Sequence, residues 1–423
     1  MITRRQLLTT GSGLLAAAYC STNDVPSSAA TPRSGRVLSQ AWLRTLDTQI
    51  VDEKGNPVVL QGINLGGWLA EEMWMLPFIT KPSSNSNLPP IRDHVSLWNV
   101  LQARLGKASK LRLMAAWRDH WITEEDFKRI CDIGFNCVRL PFLHDLFEEE
   151  SNPWTWFDKT IEWAGKYGLY VVLDMHGAPG RQSRDHHTGE EGRNRFFYAP
   201  NNIARAERIW QTIAKRYRDR PEIAGYDLLN EPMGAPNTAM IYLAEDRLYR
   251  AIRSVDEQHL IFFEDGYTGL DNMPYPNVLG WTNAVFSAHS YQFQAKSAQD
   301  HLNALDGLIA HVEQAIYQQR GVPFYLGEFN LEPYGTPQTL ATWVQTLNAR
   351  HISWSLWTYK VAMRNGDTSM WGLYHNTQPI AQPLDPYRDS EAELIAKMDQ
   401  VKTANLEENK ALTTALQQAL KAK

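Results

Sequence analysis

Cysteine is scarce in this chain, with three residues at positions 20, 131 and 137 among 423. A disulfide-stapled scaffold is thereby excluded, nothing around the three has the pattern of a metal site, and buried thiols are the expectation for Cys131 and Cys137. Positive charge is also in short supply: 42 Lys and Arg stand against 47 Asp and Glu, a formal charge of −5. No basic surface for nucleic acid follows from that balance. The apolar stretch that ends at Ala18 is shorter than the roughly 20 residues a spanning helix needs, so no stable membrane insertion is expected. What remains, 43% hydrophobic residues with 26 Gly and 22 Pro spread along the chain, is the composition of a globular α/β protein with one large domain. The 15 Trp and 17 Tyr are many for the length. Aromatic faces suit the C–H surfaces of sugar rings, though a large core absorbs such residues equally well.

The first twenty residues run from Thr3-Arg4-Arg5-Gln6-Leu7-Leu8 into the apolar stretch, the charged-then-apolar order of an export signal, and resemble a twin-arginine leader. Cys20 follows Ala16-Ala17-Ala18-Tyr19, which matches a lipoprotein cleavage site except at Tyr19, where a small residue is expected. The protein is therefore expected to be exported, periplasmic or secreted, with a lipid anchor at Cys20 as the alternative to simple cleavage. Residues 21–38, rich in Ser, Thr, Ala and Pro, cannot bury much apolar surface and form a flexible linker.

The chemistry enters where an apolar run from Ile223 ends in Asn230-Glu231-Pro232. Proline cannot continue a hydrogen-bond ladder, so a strand here should stop at Glu231 and leave Asn230 and Glu231 at its C-terminal end. The run Val322 to Phe329 repeats the device 97 residues later, with Glu328 in the same place. Eight such runs occur, marked by Asn64, Arg139, His176, Glu231, Glu264, His289, Glu328 and Trp357, at intervals of 75, 37, 55, 33, 25, 39 and 29 residues. Helical patterns lie between them, as at Ile203 to Arg218 and Tyr242 to Ser254. About 250 residues hold eight βα units, so the expected fold is α/β, a (β/α)8 TIM barrel with long loops after strands one and three. An N-terminal β-hairpin with arms 48–52 and 57–59, turning at Glu53-Lys54-Gly55-Asn56, is expected to close the barrel floor. Thr123-Glu124-Glu125-Asp126 opens a helix that Gly134 ends. The catalytic domain is placed at residues 39–400, followed by a C-terminal helical tail over 401–423 that is either frayed or packed on the barrel.

Catalysis in such a barrel sits at the C-terminal strand ends, and two carboxylates there point to glycosidic-bond chemistry. The set of Asn230-Glu231-Pro232 on strand four, Gly327-Glu328-Phe329 on seven, Arg139 on two, His176 on three, His289-Ser290-Tyr291 on six and Trp357 on eight resembles glycoside hydrolase family 5 over roughly residues 45–375. Within that family, Gln61 to Trp68 and Asp174 to Gly180 look most like the exo-β-1,3-glucanase and related β-glucanase branch. The resemblance implies a retaining enzyme that cleaves β-glycosidic bonds of a β-glucan or related oligosaccharide by double displacement, with no cofactor and no metal. It makes Glu231 the acid/base and Glu328 the nucleophile. Arg139 and Tyr291 would orient Glu328, Asn230 would bind the sugar 2-OH, His176 and His289 would wall the subsite, and Trp357 would floor it. Lys360 and Trp68 complete the expected substrate-binding set. The implied partner is a carbohydrate, acted on by a monomer.

The loop after His176 carries Arg181, Arg184, Asp185, His186, His187, Glu190, Glu191, Arg193 and Arg195. Such a mixture is either a solvated face or a recognition surface for a decorated or anionic glycan. Two other classes compete: a metal-dependent barrel hydrolase built on Asp174, His176, Asp185, His186 and His187, and a sugar-binding barrel without catalysis. Adjacent His186-His187 lack the helical spacing of common zinc motifs, and the paired carboxylates argue against a silent barrel.

Overall fold

A computed structural model describes residues 40–84, 86–367 and 369–421. The export signal, the linker up to residue 38 and Cys20 lie outside them. Eight parallel strands close into a barrel, each pairing with the next in chain order and the eighth, Ser353–Leu356, with the first, Gln61–Asn64. The second to seventh are Cys137–Leu143, Tyr170–Gly177, Ile223–Asp227, Leu260–Glu264, Ala284–Tyr291 and Phe324–Asn330. The eight-stranded α/β barrel expected from the intervals is the fold observed.

Helices cover the outside, so strands such as Cys137–Leu143 are buried throughout and read as nearly unbroken apolar runs. Residues two apart share a face of a strand, which divides the barrel interior into levels. Cys137, Val172, Phe262, Val285 and Tyr325 form an apolar floor with Leu43, Ile50 and Leu60, separate from the larger core between strands and helices. Two or four residues further along the same faces come Arg139, Asp174, His176, Glu264 and His289, so the interior turns polar toward the C-terminal mouth. The helix Glu124–Ile133 forms as its ends predict. The Thr123 N–H donates to the Asp126 carboxylate at 2.7 Å, and Gly134, at φ +116°, ends the helix.

Three features differ from expectation. The hairpin turns earlier, pairing Arg44–Leu46 with Gln49–Val51 across Asp47-Thr48, where Asp47 holds φ +50°. The turn expected at 53–56 also forms: Asp52 accepts the Lys54 and Asn56 N–H groups at 2.9 and 2.8 Å, and Val51 bridges to Pro57. The fourth strand ends at Asp227 rather than Glu231, because the chain leaves the ladder before proline forces it to. The long segment after the first strand is not mainly loop, since it holds the helices His94–Leu105 and Lys107–Trp121. Residues 178–199, after the third strand, are irregular apart from one tight turn at His186–Thr188.

Of the two readings of the C-terminal tail, packing holds. Glu407–Glu408 pairs with Tyr374–His375, and the helix Lys410–Lys421 buries Leu412, Leu416 and Ala419 against the helix Pro337–Ala349. No helix among the described residues is long and apolar enough to cross a membrane.

Candidate active site

Glu231 and Glu328 meet at the C-terminal mouth of the barrel. An oxygen of each carboxyl and a ring nitrogen of His289 all lie within 4.8 Å of one another. Both carboxyls open on a cavity of about 540 Å³, whose wall also includes His176, Tyr291 and Trp357.

Neither glutamate reaches this point by regular strand geometry. Glu231 sits beyond the end of its strand at φ +43°, a left-handed conformation uncommon for a residue with a side chain. Glu264 holds it there, its Oε2 accepting the Glu231 N–H at 2.7 Å. On the seventh strand Tyr325 faces the barrel interior, so strict alternation would turn Glu328 outward. The pairing with the sixth strand shifts register between Ala288 and His289, and such an irregularity re-aims the side chains beside it. Gly327 permits the close approach, since a Cβ there would stand 3.0 Å from both His289 Nε2 and Ser287 Oγ.

Each carboxyl is held by its own donors. Glu328 accepts from Arg139 Nη1 and from the Tyr291 hydroxyl, both at 2.7 Å. Glu231 Oε1 accepts from the Tyr267 hydroxyl at 3.0 Å and lies 2.8 Å from His289 Nδ1, while Oε2 lies 3.5 Å from His187 Nε2. Arg139, fully buried beneath them, also donates to Asp227 at 2.9 Å, Asn230 at 2.9 Å, Asn64 at 3.1 Å and Glu264 at 3.2 Å, and stands 3.2 Å from Asp174.

One guanidinium cannot neutralise so many carboxyls in a buried site, and the cluster responds by holding protons. Burial pushes the Asp227 carboxyl well above its ordinary range and lifts Asp174 to about 7, against the pull of Arg139. Burial works against a charge on His289, but Glu264, Glu328 and Glu231 outweigh it and raise the imidazole well above its usual value. For Glu231, burial is overcome by His187, His289 and Tyr267, which hold the carboxyl below its ordinary range. For Glu328, burial prevails over His289 and Arg139, and the carboxyl is raised.

Of the residues expected in the substrate site, Glu231, Glu328, His176, Tyr291 and Trp357 line the cavity, joined by Asp185, His186 and His187 of the charged loop. His176 holds Asp174 Oδ2 at 2.7 Å and stacks on Trp357, with ring centroids 5.6 Å apart and planes 11° apart. Arg139, Asn230 and His289 lie behind the wall and hold its members in place. Trp68 and Lys360 do not belong to the site. The chain turns at Gly67, φ +75°, and carries Trp68 into the helical layer, where its indole donates to the Arg118 carbonyl at 3.0 Å and stacks on Trp163. The Lys360 side chain is fully buried, bonding the Trp121 carbonyl, the Val401 carbonyl at 2.8 Å and the Thr403 hydroxyl at 3.2 Å. Burial lowers its ammonium to about 8.

Sequence reasoning missed part of the wall. Glu72 and Trp74 enter from the insertion after the first strand, and Tyr267 from three residues beyond the fifth. Phe293 and Trp371 supply an aromatic rim, with Trp371 in edge contact with Trp74 at 5.1 Å. Tyr267 and Phe293 each lie two or three residues past a strand end, so a strand-end search widened by one turn would have found them. Arg181, offered as a recognition residue, is instead buried and held by Asp145 at 2.7 and 3.0 Å, while Arg184 is exposed. The residues of the metal reading are not drawn to one point. Asp174 turns to Arg139 and His176, His186 to Glu72 at 3.2 Å, and His187 to Asn230 and Glu231.

Known proteins resemble the chain in sequence and in fold. The chain is similar to a beta-xylosidase of Phanerodontia chrysosporium, 27% identical over 368 residues that cover 79% of this chain and 73% of that one. It is 29% identical to a glucan 1,3-beta-glucosidase of Schwanniomyces occidentalis over 57% of this chain and 60% of the relative, and 35% identical to one of Blumeria graminis over 41% of each. This chain thus spans about half the length of these two glucosidases. Among solved structures, rutinosidase from Aspergillus niger superposes with a TM-score of 0.58 at 17% identity, over 74% of this chain and 92% of that one. An endogalactoceramidase superposes with a TM-score of 0.54 at 20% identity, over 76% and 75%. The family model described as cellulase, glycosyl hydrolase family 5, matches residues 103–362. That match covers well over half the chain and runs from the second barrel strand through the eighth, across both carboxylates, and the protein belongs to glycosyl hydrolase family 5.

Proposed function

We propose that the protein is a retaining glycoside hydrolase that releases sugar from the ends of β-glucans or from short β-glycosides by double displacement. Glu328 attacks the anomeric carbon while Glu231 protonates the departing oxygen. Water then attacks the same carbon, returning a proton to Glu231 and freeing Glu328. The observation that carries this reading is the separation of the two carboxyls, whose nearer atoms lie within 4.8 Å. So close an approach of one oxygen from each is in keeping with the carboxyl separation of about 5–5.5 Å that retention uses, against the about 6.5–9.5 Å that lets inversion admit a water between.

The directions of the two carboxyls, Glu231 held down and Glu328 raised by burial, run opposite to what an acid and a nucleophile need, so the roles rest on the contacts each makes. Glu231 Oε1 and His289 Nδ1 are 2.8 Å apart, so the pair holds the proton for the leaving oxygen whichever atom carries it at rest. Arg139 and Tyr291 oppose the burial that raises Glu328 and hold it as the attacking carboxylate.

Action on chain ends is supported by the wall that closes one side of the mouth. The insertion after the first strand and the loop after the third are tied by Glu72 to His186 at 3.2 Å, Val95 N–H to the Gly189 carbonyl at 3.0 Å and Glu191 N–H to Asp93 at 2.7 Å. A β-glucan or β-xyloside substrate is in keeping with the names of the similar proteins. The test is hydrolysis of aryl β-glycosides and defined β-glucan oligosaccharides, with the first product anomer followed by NMR. Retention of configuration, lost together with turnover in Glu231→Gln and Glu328→Gln, is the expected result; an inverted first product refutes the double displacement.

A further inference from the structure

His187 stands where two hydrogen-bond chains meet. The Asn230 amide is fixed from one side, since its Oδ1 accepts from Arg139 Nη2 at 2.9 Å and a guanidinium only donates. Its Nδ2 is therefore the atom that faces His187 Nδ1 at 3.1 Å, and an amide nitrogen also only donates. His187 Nδ1 must be the acceptor, which puts the ring proton on Nε2. That nitrogen lies 3.5 Å from Glu231 Oε2 and 3.3 Å from the Ser183 hydroxyl oxygen. The other oxygen of Glu231 is already taken by His289 and Tyr267.

We propose that His187 is a positioning residue for the acid/base: locked by Asn230 as the Nε2–H tautomer, it donates to Glu231 Oε2 whenever that group is a carboxylate. The inference rests on the glycosidase reading above. At 3.5 Å the contact is long, as bonds in an empty active site often are before substrate tightens them. The charged and titratable groups facing His187 are Glu231 beyond the fourth strand, His176 on the third at 5.6 Å between rings, Glu72 from the insertion, and Asp185 at 4.0 Å and His186 on its own loop. In the first step the bond from the anomeric carbon to the leaving oxygen breaks, the bond to Glu328 forms, and the Glu231 proton goes to the leaving oxygen. A donor on the newly formed carboxylate favours that transfer. In the second step the proton returns from water as its oxygen displaces Glu328.

The test is the pH dependence of kcat/KM on 4-nitrophenyl β-glucoside for the parent, His187→Ala, His187→Asn and His187→Gln. Removing a donor from the ionised form raises the pKa of the group, so the basic limb moves up by about one pH unit in the Ala and Asn variants, and the acidic limb stays. Asparagine keeps a partner for Asn230 but does not reach Glu231, whereas glutamine presents an N–H near the Nε2 position without titrating. His187→Gln therefore returns the basic limb to within a few tenths of a unit of the parent. A basic limb that is unmoved in every variant, with only KM changed, overturns the proposal and leaves His187 as a sugar contact. Parental turnover in Glu231→Gln and Glu328→Gln would instead refute the glycosidase reading itself, so the two failures are distinguishable.

Discussion

Replacing Glu264 by glutamine asks whether one hidden side chain seats Glu231, the proposed acid/base. Glu264 is 2% exposed and does not itself line the cavity. Its Oε2 accepts the Glu231 N–H at 2.7 Å, its Oε1 accepts from Arg139 Nη2 at 3.2 Å, and His289 Nε2 lies 3.1 Å from that same oxygen. All three neighbours are donors or cations. A glutamine matches the shape but turns one of the two oxygens into an NH2, so in either orientation a donor faces a donor in a site closed to water. An unsatisfied buried group costs about 1–3 kcal/mol, and the lost negative charge opposite Arg139 and His289 adds to it, so the fall in stability is about 3–5 kcal/mol. Glu231, held at φ +43° by that contact, then loses its seat. A displacement of about 1 Å is enough to lower kcat/KM about 100-fold. Urea unfolding measures the first effect as a lower midpoint at unchanged slope, and initial rates on an aryl β-glycoside measure the second. A Glu264→Gln protein within about 0.5 kcal/mol of the parent and equally active would refute the reasoning.

Tyr291→Phe strips one of the two donors from Glu328 at no cost in volume. A bond to a charged acceptor is worth about 1.5–3 kcal/mol, so kcat/KM falls about 10- to 100-fold, and the acidic limb of its pH profile moves upward because the carboxylate has lost a stabiliser. Lys360→Met leaves bare the acceptors on Trp121, Val401 and Thr403; the urea midpoint drops by about 2–4 kcal/mol of stability, while kcat/KM of the folded enzyme is unchanged. His144 reports on pH. Burial foremost, then Arg181, against the pull of Asp145, lowers its imidazole to about 4 in the folded protein, against about 6.5 in the unfolded chain. The unfolded chain therefore binds the extra proton first, so the contribution is complete above pH 6.5 and is lost as the pH falls toward 4. The loss amounts to about 3 kcal/mol at most, and urea midpoints between pH 7 and 4.5 should be flatter in His144→Gln than in the parent.

Much of the fold was legible because its signal is redundant. Eight buried strands, each an apolar run, recur at intervals that only a few architectures accommodate, and a wrong boundary at one strand does not disturb the rest. The fifth strand ends at Glu264, the residue that marks it in the sequence, since its apolar run is flanked by polar turns on both sides. The hairpin was displaced because two turns compete in one short stretch, and Asp47 at φ +50° makes the first of them without the glycine that marks the second. Both carboxylates were legible as members of strand-end motifs. Their contacts were not, because these depend on Glu264 and His187, which the sequence offers only as one strand-end acid and one of two adjacent loop histidines.

Trp68 and Lys360 show why nearness in sequence to site residues over-reaches. Both belong to stretches that flank true site residues: Gly66, whose added Cβ would lie 3.0 Å from the Trp357 ring, is two positions from Trp68, and Trp357 is three from Lys360. Proximity in sequence leaves direction undetermined, and direction at the barrel mouth is set by local breaks in regularity. A turn at Gly67 sends Trp68 outward, a register shift at the sixth strand accompanies the inward turn of Glu328, and a left-handed residue aims Glu231 across the cavity. An amphipathic pattern encodes the regular parts of a barrel, because apolar burial rewards every residue that keeps the period. It is silent where function requires the period to fail, and there the deciding groups are the polar partners, such as Glu264 for Glu231 and Arg139 for Glu328, that make the departure stable.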